Sequence, residues 1–425
     1  MASTSERFFV YLQRPDTGAW VTVGRYQFDA ASGIGWFRYA PSYEDAGLAW
    51  AIDPVNLPFR PNTDLPATRY SGLHDVLRDA GPDTWGQALL RREWGLSEGT
   101  PAARYLMLSS NADRWGALAV GPSSAPSIAH LSAPKLPQLD AVVRELEAMA
   151  AQRPPLNAQL RRRLVQTASV GGARPKATVR DAQGLSWLVK PKIKTDEADV
   201  PRLEHAAQRW GSAGGLRFAE TVFHPAAGGT TAVRVRRFDR HVDRQFDRRL
   251  MCVSAASLLQ AEYPGGGSNE GRWSYPRLAE ELQRIGAPPD DRRELFGRMI
   301  FNAVCGNDDD HVRNHAVVYQ YDEKRWRLSP AFDVVPNPAQ TPQTLAMQLS
   351  SGRFDICRES VLADAHRFGF TGQEQAARYV DDLLVRFEAC FEGSTEELDA
   401  DWQQFLHERM IHNLAVLRAL RLQPV

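Results

Sequence analysis

The first forty residues carry three runs rich in β-branched and aromatic side chains, RFFVYLQ, AWVTVGRYQF and GIGWFRYA, separated by Gly, Asp and Pro. This pattern predicts a small antiparallel sheet over residues 7–40. From Gly72 the pattern turns helical: Leu73, Val76 and Leu77, then Trp85, Leu89 and Leu90, recur at helical spacing. A Pro-, Ser- and Ala-rich stretch over 122–138 reads as a linker. The segment LDAVVRELEAMAAQ follows, with apolar residues at Leu139, Val142, Val143, Leu146 and Met149, and Pro154 and Pro155 close that helix. Residues 165–240 return to strand-like runs, TASVGGARPKATVRD, LSWLVKPKI and TTAVRVRRFDR, with a helix around PRLEHAAQRWGSAGG between the last two. Beyond Arg240 the pattern is mostly helical, interrupted near 306–350 by loops and two short strands, AVVYQYD and WRLSPAFDVV. A β-rich half followed by a helix-rich half predicts an α+β chain of two lobes with a cleft between them.

Composition narrows the class. The chain has 425 residues, long enough for two or three packed units. Fifty-one basic residues balance fifty-one acidic ones, so no whole-chain charge favours nucleic acid or a membrane surface. Cys252, Cys305, Cys357 and Cys390 lie far apart with no CxxC pair, which argues for buried free thiols rather than a disulfide framework or a zinc site. The N-terminus lacks a signal pattern and no run of 18 apolar residues occurs, so a cytoplasmic protein is expected.

Candidate chemistry concentrates in GNDDDHVRNHAV, residues 306–317, directly after the apolar stripe of ELFGRMIFNAVC. A polar loop on a buried helix has the rigid support that functional loops use. Asp309 and Asn314 are five apart, the D-x-x-x-x-N interval of a kinase catalytic loop, and Asp333 lies twenty-four residues beyond Asp309 after a strand-like run. Phosphoryl transfer uses such groups: a carboxylate to accept the proton of the attacking hydroxyl, and oxygen ligands for magnesium. Asp308 and Asp310 read instead as a solvated acidic turn or helix caps. The adjacent glycines Gly171 and Gly172 in SVGGARPKA permit backbone approach to a phosphate, though the same pair also suits an ordinary hairpin turn. Lys190 ends an apolar strand, and Glu204 on the following helix is either its ion-pair partner or a surface glutamate. Phe238 in RVRRFDR is either core or a flank for an adenine ring.

Taken in order, SVGGARPKA, LVKPK, RRFDR, GNDDDHVRNH and LSPAFDVVPN resemble the HipA family, kinase toxins of bacterial type II toxin–antitoxin pairs. The stretches GWFRYAPSYED, GLHDVLRDAGPDTWGQALLRR and RWGALAVGP are similar to that family's extra N-terminal subdomain. The resemblance implies a bilobal protein-kinase-like (HipA-like) fold, with a β-rich N-terminal lobe carrying the extra subdomain and a mostly α-helical C-terminal lobe. It divides the chain into an N-terminal subdomain (1–125), a linker and helix (126–160), a small-lobe core with the phosphate loop (161–240) and a helical lobe (241–425). It also implies a serine/threonine kinase using ATP and Mg2+, with Asp309 as base and Asn314 and Asp333 as metal ligands. Gly171, Gly172, Ala173, Arg174, Pro175 and Lys176 would form the phosphate loop, and Lys190 would meet the ATP phosphates. Arg236, Arg237 and Phe238 would line the adenine pocket through the backbone, with His311, Val312, Arg313 and Phe332 near the nucleotide.

Ser169 falls where family members phosphorylate themselves, and a phosphate there would add roughly −1.5 to −2 charges and draw the loop away from the acidic site. Arg236 stands where some relatives carry an acidic residue, and Arg313 where Lys is frequent. The implied partner is a small helix-turn-helix (HipB-like) antitoxin that supplies most DNA contacts, with no membrane association. Implied protein substrates include aminoacyl-tRNA synthetases, none of which this sequence selects. Two other readings stay open: a catalytically silent module that helps an antitoxin repress transcription, and a kinase of a small-molecule acceptor.

Overall fold

A computed structural model describes residues 7–128, 133–167, 174–225, 230–242, 247–263 and 271–419. Strands β1 (Arg7–Gln13), β2 (Trp20–Asp29), β3 (Ile34–Tyr39), β4 (Leu65–Ala67) and β5 (Leu118–Gly121) form an antiparallel sheet in the order β4-β3-β2-β1-β5. Strand β3 shows the period of two that holds such a sheet to a core: Gly35, Phe37 and Tyr39 are buried while Trp36 and Arg38 face solvent. Helices Asp75–Asp79, Thr84–Trp94 and Ala102–Leu108 complete this unit.

Strands β6 (Ala177–Arg180), β7 (Ser186–Pro191), β8 (Thr221–Pro225) and β9 (Thr231–Arg236) make a second antiparallel sheet, ordered β6-β7-β9-β8. Helices Leu139–Ala150 and Ala158–Val165 cover it, placing Val142, Val143 and Leu146 in one apolar cluster with Ala177, Val179 and Val189. Asn157 starts the second of these helices, its side-chain oxygen accepting from the Leu160 amide at 3.0 Å.

The rest is mainly helical. A hairpin of β10 (Arg240–Val242) and β11 (Asp247–Arg249) leads to a three-stranded sheet of β12 (Cys252–Ser254), β13 (Ala316–Gln320) and β14 (Arg325–Leu328). Around it pack helices Tyr275–Arg284, Pro289–Cys305, Gln373–Thr395 and Ala400–Arg418. Helix Pro289–Cys305 is the axis of this lobe, with Leu295, Phe296, Met299, Ile300, Ala303 and Val304 all fully buried. No helix among the described residues is long and apolar enough to cross a membrane.

The apolar core does not follow the order of the chain. One cluster runs from Phe8 and Phe37 in the first sheet to Leu295, Phe387 and Leu417 in the helical lobe, whereas β6, β7 and the two covering helices share a second cluster with Leu89, and Val233 and Val235 of β9 sit in a third. Trp50 stacks on Tyr319 at 4.0 Å, so the first sheet is welded to the helical lobe. All four cysteines are free, but only Cys252 and Cys305 are buried; Cys357 and Cys390 are half-buried on the helical lobe's outer helices.

Where the units meet, Arg237 and Arg240 sit among Asp113 and Asp239, all four buried. Arg237 binds Asp239 twice, at 2.9 and 2.7 Å, and also bonds Asp113, Thr178 at 3.0 Å and the Arg114 carbonyl at 3.0 Å. Arg240 adds contacts to Asp239 at 2.8 Å and Asp113 at 3.2 Å. Burial alone would raise the Asp239 pKa, but Arg237 and Arg240 hold it far below the ordinary carboxylate value.

Candidate active site

A cavity of about 670 Å³ opens where the second sheet, the helical lobe and the first unit converge. Its polar wall is the loop after helix Pro289–Cys305. That helix stops at Gly306, whose φ of 76° is left-handed and favours glycine. A Cβ there would lie 2.7 Å from Cδ of Arg409. Arg409, buried on helix Ala400–Arg418, donates to the carbonyls of Cys305 (3.2 Å), Asn337 (2.6 Å) and Gln340 (2.6 Å), clasping the loops on both sides of the cavity. Gly306→Ala is therefore expected to destabilise the protein by about 2–3 kcal/mol, through left-handed strain and displacement of Arg409. Chemical denaturation of the two proteins measures this difference.

Asp309 follows on this loop and is exposed to the cavity. Partial desolvation by the cleft walls raises its pKa; His311 opposes the shift, and Asp333, Asp308 and Asp310 add to it. The Asn314 amide nitrogen donates to the Asp309 carbonyl at 3.2 Å, which leaves its side-chain oxygen as the atom offered to the cleft. Asp308 and Asp310 depart from the expected solvated turn or helix caps. Asp310 is buried and accepts hydrogen bonds from Tyr275, Asn302 (2.7 Å) and His315 (2.8 Å), pinning the loop to the core. Asp308 accepts from Asn337 at 2.9 Å.

Across the cavity, the Nζ of Lys190 on β7 lies 2.7 Å from Oε1 of Glu204 and 2.6 Å from Oδ1 of Asp333. Glu204 is buried on helix Val200–Ala213 rather than on the surface, and Gln208 one turn later donates to it at 3.1 Å. Burial disfavours the charge of Lys190, yet Asp333 and Glu204 raise its pKa, so the ammonium persists. Burial likewise opposes the Asp333 charge, but Lys190 and then Lys176 draw its pKa well below the usual range. Asp333 has a φ of 59°, a left-handed conformation costing a non-glycine residue about 1–3 kcal/mol, as residues at functional sites often are.

The remaining expected residues divide into those inside the cavity and those outside it. Arg174, Lys176, His311, Arg313 and Phe332 line it. Arg174 is tied to Asp196 at 2.8 Å, and burial lowers the Lys176 pKa against the pull of Asp83 and Asp333. The His311 ring lies 4.3 Å from that of Tyr263, and burial lowers its pKa. Pro175 is buried beside the loop, and Ser169, Gly171, Gly172 and Ala173 lie outside the described residues. Val312 does not face the cavity: it is wholly buried, and its carbonyl accepts from the Ala256 amide at 2.9 Å. Nor do the side chains of Arg236, Arg237 and Phe238 line it. Arg236 is exposed and paired with Glu220 at 3.1 Å, and Arg237 belongs to the buried ion network. Phe238 touches the site through its ring contact with Phe332, 5.1 Å between centroids.

Sequence reading missed the contribution of the first unit, which supplies Arg78, Asp83 and Trp115 to the cavity wall. It also missed Tyr263 and Arg409. Arg78, Asp83 and Trp115 lie in stretches that resemble the family's N-terminal subdomain but carried no site expectation, and no local motif marks Tyr263 or Arg409.

Two lobes of mixed helix and sheet, joined by a buried hinge and facing each other across this cleft, define a bilobal α+β class. A chain of the Shewanella oneidensis MR-1 toxin–antitoxin complex of HipA, HipB and operator DNA has the same fold, with a TM-score of 0.70 at 18% identity over 96% of both chains. Y4mE of Sinorhizobium fredii, described as a candidate kinase, is 26% identical over 177 residues, a match that spans 40% of this chain and only 40% of that relative. Residues 168–391 match the model of the HipA-like C-terminal domain. The chain belongs to the HipA-like family, as its motifs imply.

Proposed function

We propose that this protein is an ATP-dependent serine/threonine protein kinase acting as the toxin of a type II toxin–antitoxin pair. The observation that carries this reading is Lys190, held between Glu204 and Asp333 on the far side of a cleft from Asp309. Lys190 and Lys176 bring two ammonium groups to one wall, suited to the phosphates of ATP. Asn314 and Asp333 offer an amide and a carboxylate oxygen, a donor set that fits magnesium, which takes one or two protein ligands and completes its shell with water and phosphate oxygens. Bound magnesium would offset the charge on the transferred phosphoryl group. Asp309 in its carboxylate form accepts the proton of the attacking hydroxyl, and Arg313 offers positive charge to the same cavity. Phe332, with Phe238 behind it, gives the cavity an apolar side for the base.

The complex of the Shewanella relative with HipB and operator DNA supports a HipB-like helix-turn-helix partner here, through which DNA is bound. Ser169 is the proposed site of self-phosphorylation, and the cytoplasm the proposed location. Calorimetry with ATP and Mg2+, followed by phosphoproteomic comparison of cells expressing wild type or Asp309→Ala, tests the reading. The expected result is Mg2+-dependent ATP binding and phosphoserine or phosphothreonine on cellular proteins in the wild type alone. Absence of ATP binding would overturn it.

A further inference from the structure

The first sheet unit is more than an appendage to the kinase-like lobes. We propose that Asp79, from that unit, is a positioning residue that fixes Arg313 and the backbone of the catalytic loop for phosphoryl transfer. This rests on the kinase reading above and adds to it a residue of the N-terminal subdomain to which the sequence assigns no site role.

Asp79 ends helix Asp75–Asp79 and is 2% exposed. Its two oxygens take four donors from two directions. Oδ1 accepts from the Arg313 guanidinium at 3.2 Å and from the Ser254 hydroxyl at 2.8 Å. Oδ2 accepts from the Ser254 amide at 2.8 Å and the Ser257 hydroxyl at 2.7 Å. Arg313 lies 234 positions along the chain from Asp79 and directly before Asn314, and it lines the cavity with its side chain still 15% exposed. One edge of the guanidinium is therefore anchored and the remainder faces the cleft.

The second arm of the contact reaches the loop backbone. Ser254 caps helix Ala255–Leu258, and the amides that follow it are spent on the catalytic loop: Ala255 donates to the His315 carbonyl at 2.8 Å and Ala256 to the Val312 carbonyl at 2.9 Å. Asp79 thus holds the cap, and the cap holds residues 312 and 315, which bracket Arg313 and Asn314. A free arginine side chain carries about 2 kcal/mol of rotamer entropy. A buried carboxylate that orients it beforehand removes most of that penalty from the transition state, which is how preorganised charge acts. The effect belongs in turnover and not in ATP affinity, because Asp79 itself does not line the cavity.

The full-length chain tests this by release of ADP and inorganic phosphate from Mg-ATP, with water taking the phosphoryl group in place of the protein hydroxyl, combined with melting temperatures. Asp79→Asn keeps the shape and removes the charge; it is expected to lower kcat about tenfold or more while the KM for ATP stays within about twofold. Arg313→Met is expected to lower kcat to a similar extent. Adding Asp79→Asn to Arg313→Met should then cost no more than about a further twofold, because the two residues act as one unit. Ser257→Ala removes one of the four donors without touching Arg313 and controls for packing; its kcat should stay within about twofold of wild type, whatever its melting temperature. The proposal falls if Asp79→Asn turns over at the wild-type rate, if its effect is undiminished beside Arg313→Met, or if Ser257→Ala is slowed as much. A wild type that releases no ADP removes the kinase reading and this proposal with it. An active wild type with any of the other three outcomes removes the proposal alone.

Discussion

Asp309→Asn is expected to lower phosphoryl transfer by about 10²–10⁴-fold, the range for loss of a general base, with little change in the affinity for ATP and Mg2+. The substitution keeps the shape of a side chain that no hydrogen bond among the described residues requires: the Asp309 carbonyl, not its carboxylate, is bonded to Asn314. Asn314 and Asp333 stay in place, so binding and transfer should separate in a single-turnover assay with calorimetry alongside. The pH profile gives an independent signature. A carboxylate acts as a base only when ionised, and desolvation places the Asp309 pKa above the ordinary value of about 4. The acid limb of the wild-type rate therefore lies above that value, and the residual activity of Asp309→Asn should lack it.

Arg237→Ala should produce the largest loss of stability, about 3–5 kcal/mol, because it strands buried carboxylates rather than merely deleting a contact. Among the described residues Asp113 and Asp239 would keep Arg240 as their one paired cation, at 3.2 and 2.8 Å, with only the neutral Thr178 hydroxyl and Gly116 amide beside it. The sign of the pH dependence follows from linkage. Asp239 is depressed in the folded state, so its contribution is present above the unfolded carboxylate pKa and is lost as pH falls through the folded value. Removing Arg237 lets the folded value rise, so acid unfolding of the variant should begin at a higher pH than in the wild type. Urea titrations between neutral and acidic pH measure both the loss and its displacement. An undiminished midpoint at neutral pH would show that the network relaxes without penalty.

What was legible in the sequence was what local pattern encodes. The runs of β1, β2 and β3, the helix carrying Glu204 and the spacing from Asp309 to Asn314 all lie within short windows where side-chain period reflects burial. Strand β8 was not legible, because TVFHP is half-buried at an edge and shows no alternation. The short strands β10, β11 and β12 are three residues each, below the length at which period carries information. Arg237 reads as one more charge in RVRRFDR; that it is buried depends on Asp113, 124 residues away. Asp310 was misread for the same reason, since its partners Tyr275 and Asn302 come from two separate helices. Local composition showed a polar loop, and only the tertiary contacts distinguish the carboxylate that faces the cleft from the one that anchors it.

The grip of Arg409 has a consequence for synthesis of the protein. Its guanidinium closes on a carbonyl 104 residues earlier, at Cys305, and on the two carbonyls of the opposite loop. A ribosome adding about 5–20 residues per second needs roughly 5–20 s to travel that distance. Through that interval the Asp309 loop exists without its clasp, so a nascent chain acquires the clasped form of the cleft only after helix Ala400–Arg418 has emerged, and a chain released before that helix leaves both loops without the Arg409 brace.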